Sequence, residues 1–323
     1  MNQIINLLKN SNHILIASHA NPDGDAIGAL IAMGVSLDAL NNKTTLYNES
    51  PIPAIYRFLP TVDRIVRHID DQNLFDTAVI LDCGDLERVG NALSTISRIP
   101  HIINIDHHVT NTRFGEFNLI DPSACATSEI VYRLIRRMEA AINLATATSI
   151  YTGILTDTGS FRFSNTNKAA FDICAEMVAL GVEPYSIAQL VYGTYSLGRI
   201  KLLNLALDSI EISKNRKLSM MAVTQEMLNE TGTKPEDIDG FINYAKGIED
   251  VQVAVLIQEL FNDKKEVQSH EHFHVSLRSN GTVNVAEIAS TFGGGGHSNA
   301  AGFSIESTLA HLKSRVDKLA ETL

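Results

Sequence analysis

The chain has 323 residues, 45% of them hydrophobic and 20% charged, which is enough for two ordinary domains with sizeable cores. Its formal charge of −11 argues against a surface that grips long nucleic acid through many phosphates. A short anionic substrate in a local positive pocket stays compatible. No apolar run approaches the ~18 residues that a bilayer span needs, so no membrane association is expected. The start, Met1-Asn2-Gln3-Ile4-Ile5, lacks a basic signal region. Cys83, Cys125 and Cys174 are odd in number and widely spaced, fitting neither a disulfide framework nor a zinc site. The expected location is the cytoplasm.

In chain order, His13-Ile14-Leu15-Ile16-Ala17-Ser18 reads as a buried strand running into His19, then Asn21-Pro22-Asp23-Gly24-Asp25. Residues 24–40 carry Ala, Ile, Leu and Met at helical spacing, so Asp23 and Asp25 sit on the turn feeding a helix. By itself that pair reads as helix capping. Gly24 between them lets the two side chains diverge. Residues 43–47 look like a further strand and 55–59 a short helix. The strand Thr77-Ala78-Val79-Ile80-Leu81 runs into Asp82, with Asp85 three residues later as a helix cap. His101-Ile102-Ile103-Asn104-Ile105 runs into Asp106-His107-His108. Three apolar strands that each finish in His or Asp are hard to explain by packing. Buried carboxylates need partners, and a cluster of them needs a cation. In open α/β sheets, ligands bind just beyond the carboxyl ends of the strands.

Asp121-Pro122-Ser123 is a turn, and 128–138 an amphipathic helix whose Arg133, Arg136 and Arg137 read as a solvated face. Residues 143–155 are small and apolar and lead to Asp157, a fourth carboxylate, with Arg162 close behind. A helix over 167–180 stops at Gly181, and 184–195 and 198–210 read as further helices. From about Ser213 the pattern changes. Strands are expected over 218–223, 251–259 and 272–278, with a helix over 234–246. The stretch Phe292-Gly293-Gly294-Gly295-Gly296-His297 holds four consecutive glycines, which weaken any regular element. They make sense where backbone N–H groups approach an anion closely. Arg278, ending a strand, suits a phosphate fork. Ser269-His270-Glu271-His272-Phe273-His274 reads as a hairpin end and not as a metal site.

The fold expected is α/β. A mainly parallel sheet flanked by helices occupies 1–187, a helical linker 188–212, and a smaller α/β domain 213–323. His19, Asp23, Asp25, Asp82, His107 and Asp157 form a ligand set of four carboxylates and two imidazoles without a thiolate. That set suits two Mn²⁺ ions, with Mg²⁺ or Co²⁺ as substitutes. Two ions ~3.5–4 Å apart stabilise both the attacking and leaving oxygens of a phosphoryl displacement. Asp106 is expected to orient His107 from behind, and His108 to face the substrate phosphate or leaving group.

These motifs together resemble the DHH phosphoesterases. The resemblance rests on Asp106-His107-His108, on His19-Ala20-Asn21-Pro22-Asp23-Gly24-Asp25, and on Gly294-Gly295-Gly296-His297, which is similar to the motif of their DHH-associated C-terminal domain. It spans nearly the whole chain. The length is most like that of the NrnA-type group, nanoRNases that also act on 3′-phosphoadenosine-5′-phosphate (pAp). The resemblance implies one Mn²⁺ held by His19, Asp23, Asp82 and Asp157, and another by Asp25, Asp82, His107 and Asp157. It also implies that Arg278, the glycine run and His297 grip the substrate as the second domain closes. Asp85 has no ligand role in this scheme. The implied activity is hydrolysis of short oligoribonucleotides and of pAp by metal-activated water. Homodimers are common in that family, although no interface signature stands out in the sequence. The alternatives are a phosphodiesterase for cyclic dinucleotides or pApA, and a non-catalytic nucleotide sensor. A sensor is expected to lose ligands, and none of the six is missing.

Overall fold

Residues 14–17 and 78–81 are apolar without interruption and fully buried, as strands of a sheet covered on both faces require. The computed structural model describes residues 1–69, 75–260 and 271–323, and the chain divides into two units, Met1–Thr194 and Tyr195–Leu323. The first unit contains α1 (Asn2–Asn10), β1 (His13–Ser18), α2 (Gly24–Ala39), β2 (Lys43–Tyr47), β3 (Ile65–Val66), β4 (Thr77–Leu81) and α3 (Leu93–Ile96). It continues with β5 (His101–Asp106), β6 (Phe117–Ile120), α4 (Thr127–Arg137), α5 (Leu144–Asp157), α6 (Lys168–Ala179) and α7 (Pro184–Ala188).

Its six strands form a parallel sheet in the order β3-β2-β1-β4-β5-β6. From β1 the chain steps outwards to β2 and β3, then returns to β4 on the other flank of β1. That reversal is the place where an open α/β sheet leaves a crevice at its carboxyl ends. Ile14, Ile16, Val79 and Leu81 pack into one helix layer, while Leu15, Ala17, Ala78 and Ile80 pack into the opposite one. The period of two therefore places every second residue in a different core.

The apolar run ahead of Asp157 is the helix α5, capped by Asn143, whose side chain accepts from Thr146 N–H. It packs directly on α2, and the contact depends on small residues. A Cβ on Gly28 would stand 2.5 Å from the Ser149 carbonyl oxygen, and one on Gly24 would collide with Thr156. The close approach lets Asp25, in the first turn of α2, meet Asp157 at the last turn of α5.

The second unit contains α8 (Leu197–Asp208), β7 (Glu211–Ile212), β8 (Leu218–Val223), α9 (Gln225–Thr231), α10 (Ile242–Lys246) and β9 (Val253–Glu259). It ends with β10 (Glu271–Ser279), α11 (Val285–Ser290), β11 (Gly295–His297), β12 (Ala300–Ser307) and α12 (Leu309–Leu319). Its mixed sheet has the order β11-β12-β10-β9-β8-β7. The segment 188–212 divides at Thr194, and α8 packs Leu202 and Ala206 with Met221, Val223 and Phe241. The helix expected over 234–246 is broken. A 3-10 turn (Pro235–Ile238) precedes α10, and Gly240 between them adopts φ 81°. Ser269 and His270 lie outside the described residues. The rest of that tract opens β10, where His272 Nε2 meets Glu306 Oε1 at 3.2 Å. No helix among the described residues is long and apolar enough to cross a membrane.

Gly28→Ala is expected to force α2 and α5 apart and to lose about 1–3 kcal/mol, the usual penalty of overpacking a full core. Urea unfolding checks this: the midpoint should fall at unchanged slope. A midpoint equal to the parent's would mean that the helix contact has slack.

Candidate metal centre

The three strand ends at the reversal carry the chemistry. His19 follows β1, Asp82 follows β4, and Asp106 ends β5 with His107 and His108 directly after it. Asp23 and Asp25 enter from the start of α2, and Asp157 from the end of α5. Ligand atoms of His19, Asp23 and Asp82 lie within 4.8 Å of one another, and so do those of Asp25, His107 and Asp157. Asp23 and Asp25 thus diverge into two groups. Asp82 belongs to the first group and also stands 3.8 Å from His107 Nε2 through Oδ1. Asp157 is grouped with Asp25 and His107, its Oδ2 standing 3.6 Å from His107 Nε2.

Both imidazoles are turned the right way for ligation. His19 Nδ1–H donates to the Ala20 carbonyl at 2.8 Å, and His107 Nδ1–H to the Ala124 carbonyl at 3.4 Å. Each therefore presents Nε2 to the carboxylates, as a metal-binding histidine does when a backbone carbonyl holds its other nitrogen. His19 Nε2 stands 3.6 Å from Asp82 Oδ2, which is too long for a hydrogen bond.

Asp106 does not orient His107 through its ring. Its Oδ1 accepts from His108 Nδ1–H at 2.6 Å and from the His107 backbone N–H at 2.8 Å. Asp106 is the last residue of β5, and the chain leaving the strand turns the His108 ring, not the His107 ring, towards its carboxylate. Its other oxygen, Oδ2, accepts from Asn111 Nδ2 at 2.6 Å, and Asn111 reaches back to Asn104 Oδ1 at 2.8 Å. Asp85 caps the following 3-10 turn by accepting from Glu87 N–H at 2.9 Å. Arg162 is exposed, with Nε donating to the Gly159 carbonyl at 2.6 Å.

Electrostatics match a cluster short of positive charge. Burial, then the nearby Asp82, pushes Asp25 up to about 7, and burial with Asp25 pushes Asp157 well above the carboxylate range. Burial alone would lower His19 and His107. Asp82 overrides it for His19, Asp157 and Asp82 for His107, and both rise to about 9. Burial would likewise raise Asp82, yet the contact with His19 and the charges of His108 and His107 hold it below the ordinary range. Asp106 holds His108 up against the effect of its burial. Divalent cations fit this donor set: hard carboxylates predominate, and the Cys83 thiol is committed to the Asp85 carbonyl at 3.0 Å.

Several residues at the centre carry no mark in the sequence reading. Thr127 donates its N–H to Asp25 Oδ2 at 2.6 Å and its hydroxyl to Asp82 Oδ1 at 2.9 Å. Ser128 N–H donates to Asp25 Oδ1 at 2.9 Å. Asn165 Nδ2 donates to Asp157 Oδ2 at 3.0 Å. Asn104 had a signal: an amide inside an otherwise apolar strand is a buried polar group in need of a partner.

In the second unit, Arg278 is half-buried on β10, with Nη1 donating to the Leu277 carbonyl at 3.0 Å. Gly295 to His297 form β11, the edge strand beside β12. Packing explains part of the glycine run. A Cβ on Gly296 would stand 2.5 Å from the Ala300 carbonyl oxygen, and one on Gly294 would collide with Gly302 and Phe303. Gly295 has open space on its Cβ side.

The family model for the DHH family, N-terminal domain, matches residues 13–154, and that for the DHHA1 domain matches 219–323. A Thermus thermophilus protein described as bifunctional oligoribonuclease and PAP phosphatase NrnA is 33% identical over 294 residues, covering 91% of this chain and 84% of its own. The chain belongs to the DHH family. A Bacillus subtilis protein of the same description is 25% identical over 316 residues, 94% of this chain and 93% of its own. Among solved structures, a Bacteroides fragilis protein described as exopolyphosphatase-related superposes with TM-score 0.91 at 27% identity, covering 99% of this chain and 95% of that one. The manganese-bound exonuclease RecJ shares the fold, with TM-score 0.53 at 13% identity over 99% of this chain and 94% of that one.

A pH dependence follows for this DHH-family centre. His19 rises from 6.5 to about 9, so its contribution is fully present below pH 6.5 and lost as pH rises through 9. Asp25 rises from 3.8 to about 7, so the ion-free fold also loses stability as pH climbs through 7. Cations need the deprotonated ligands. The rise in melting temperature caused by excess Mn²⁺ should therefore grow steadily from pH 6 to 8.5. An equal rise at both ends of that range would contradict the assignment.

Proposed function

We propose that the chain is a Mn²⁺-dependent phosphoesterase that cleaves short oligoribonucleotides to mononucleotides and removes the 3′-phosphate of pAp. The observation that carries this reading is the cluster of acid–imidazole groups at the carboxyl ends of the strands, in which Asp82 faces both His19 and His107. The 33% identity to a Thermus thermophilus oligoribonuclease and PAP phosphatase supports the substrate class. We place the enzyme in the cytoplasm, in keeping with three free, buried cysteines.

His19, Asp23 and Asp82 would hold one ion, and Asp25, His107, Asp157 and again Asp82 the other. When bound, the ions supply the Lewis acidity that a phosphoryl displacement needs. The remaining steps fall to the chain. His108, whose charged form Asp106 favours, would donate to the phosphate or to the leaving oxygen. Asp106 fixes the ring through Nδ1, and Asn111 fixes Asp106. We assign Arg278, with Gly294, Gly295, Gly296 and His297, to holding the phosphate or terminal nucleotide. Arg suits that task because its planar fork matches two phosphate oxygens at once.

The deciding assay offers purified protein with Mn²⁺ a choice of pAp, a dinucleotide, a five-nucleotide RNA, pApA and pyrophosphate. The first three should turn over fastest. Preference for pyrophosphate, or no hydrolysis of any, would overturn the reading, and preference for pApA would move it to dinucleotide signalling. Asp82→Asn keeps a side chain that tolerates the φ of 54° found there, so the protein should stay folded. Its turnover should fall by about 1,000-fold, equivalent to roughly 4 kcal/mol of transition-state stabilisation. His297→Ala should instead raise KM about tenfold while leaving the bound metal in place, as expected for one lost contact to a charged group.

A further inference from the structure

We propose that Thr127 is a positioning residue of the metal centre, setting the relative orientation of Asp25 and Asp82 as they receive divalent cations. The inference rests on the two-ion reading above and concerns a residue that this reading leaves unused. Thr127 is the first residue of α4 and is fully buried, like Ser128 beside it. Helix N-termini usually recruit a nearby side chain to cap their unpaired N–H groups. Here the residue before the helix is Ala126, which makes no side-chain cap. The cap comes from Asp25, far away in sequence, with its Oδ2 on Thr127 N–H at 2.6 Å and its Oδ1 on Ser128 N–H at 2.9 Å.

Both oxygens of Asp25 are therefore held by the backbone, which fixes the plane of its carboxylate. The hydroxyl of the same Thr127 donates to Asp82 Oδ1 at 2.9 Å. Asp82 comes from the end of β4 and Asp25 from the start of α2. One residue, part of neither element, ties the two together. Packing alone does not explain a threonine here. A valine has nearly the same shape and would fill the same buried space, but it cannot donate to Asp82. Hydrogen bonds of this kind turn the ligand's oxygens towards the ion and shape its basicity, and their loss typically weakens metal binding 10–100-fold.

The test is calorimetric titration of Mn²⁺ into the full-length parent, Thr127→Val and Thr127→Ser, with thermal unfolding recorded alongside. Thr127→Val should bind at least one ion about 10–100-fold more weakly, and Thr127→Ser, which keeps the hydroxyl, should come back close to the parent. The backbone clamp on Asp25 survives both changes, so the comparison isolates the hydroxyl. Parental affinity for both ions in Thr127→Val would overturn the proposal, even if its melting temperature fell, since that pattern is what a purely structural threonine gives. Should Thr127→Val fail to fold, Thr127→Ser and Thr127→Ala decide: loss in Ala with retention in Ser supports the role, and equal affinity in both overturns it. A parent protein that takes up no Mn²⁺ would instead refute the two-ion reading itself, which separates the two failures.

Discussion

The constraint on which the structure depends is the burial of the Asp82 carboxylate among the acid and imidazole side chains of the candidate metal centre. Asp82 is only 2% exposed and sits in the left-handed backbone region, with φ 54°. Such a conformation costs of order 1 kcal/mol or more and persists only where its surroundings enforce it. They do so here. The Asp82 N–H donates to the Ile105 carbonyl at 3.0 Å, extending the sheet by one bond past the end of β4. Its side chain is ringed by His19, His107 and His108, each within 3.8 Å. A buried carboxylate without such company would protonate. The strand order supplies the company, because the reversal between β1 and β4 brings the residues following both strands to one crevice.

Several of these acids also hold the fold together. Asp23 caps α2, its Oδ1 accepting from Asp25 N–H at 3.1 Å and Ala26 N–H at 3.0 Å. Asp25 caps α4 from a distance, and Gly153 on α5 lies so close to Asp25 and Ser128 that a Cβ there would collide with Ser128. On the proposed two-ion reading, binding and folding are linked: what orders α2, α4 and α5 also orders the acid and imidazole groups, and cations that bind only the folded chain would stabilise all three helices.

The strands and their polar ends were legible because a parallel sheet demands unbroken apolar runs, and a carboxylate or imidazole at the end of one stands out. Asp157 was legible only as a carboxylate after an apolar run. Its place at the end of a helix comes from the tight α2–α5 seam, which reads in sequence merely as scattered Gly, Ala and Thr. Adjacency in sequence suggests His107 as the ring partner of Asp106, while the chain leaving β5 brings His108 Nδ1 to its carboxylate. Thr127 left no trace at all. Its two bonds go to residues remote in sequence, and nothing in a Thr-Ser pair at a helix start distinguishes them from ordinary capping residues. In the second unit, the helix pattern over 234–246 hid the break at Gly240, where a left-handed turn outweighs the periodicity.

Anomalous X-ray scattering from crystals grown with Mn²⁺ tests the central claim most directly. Two peaks are predicted in the first unit, one touching His19, Asp23 and Asp82, the other touching Asp25, His107 and Asp157, with Asp82 in contact with both. A single peak, or manganese bound away from Asp82, would contradict the account.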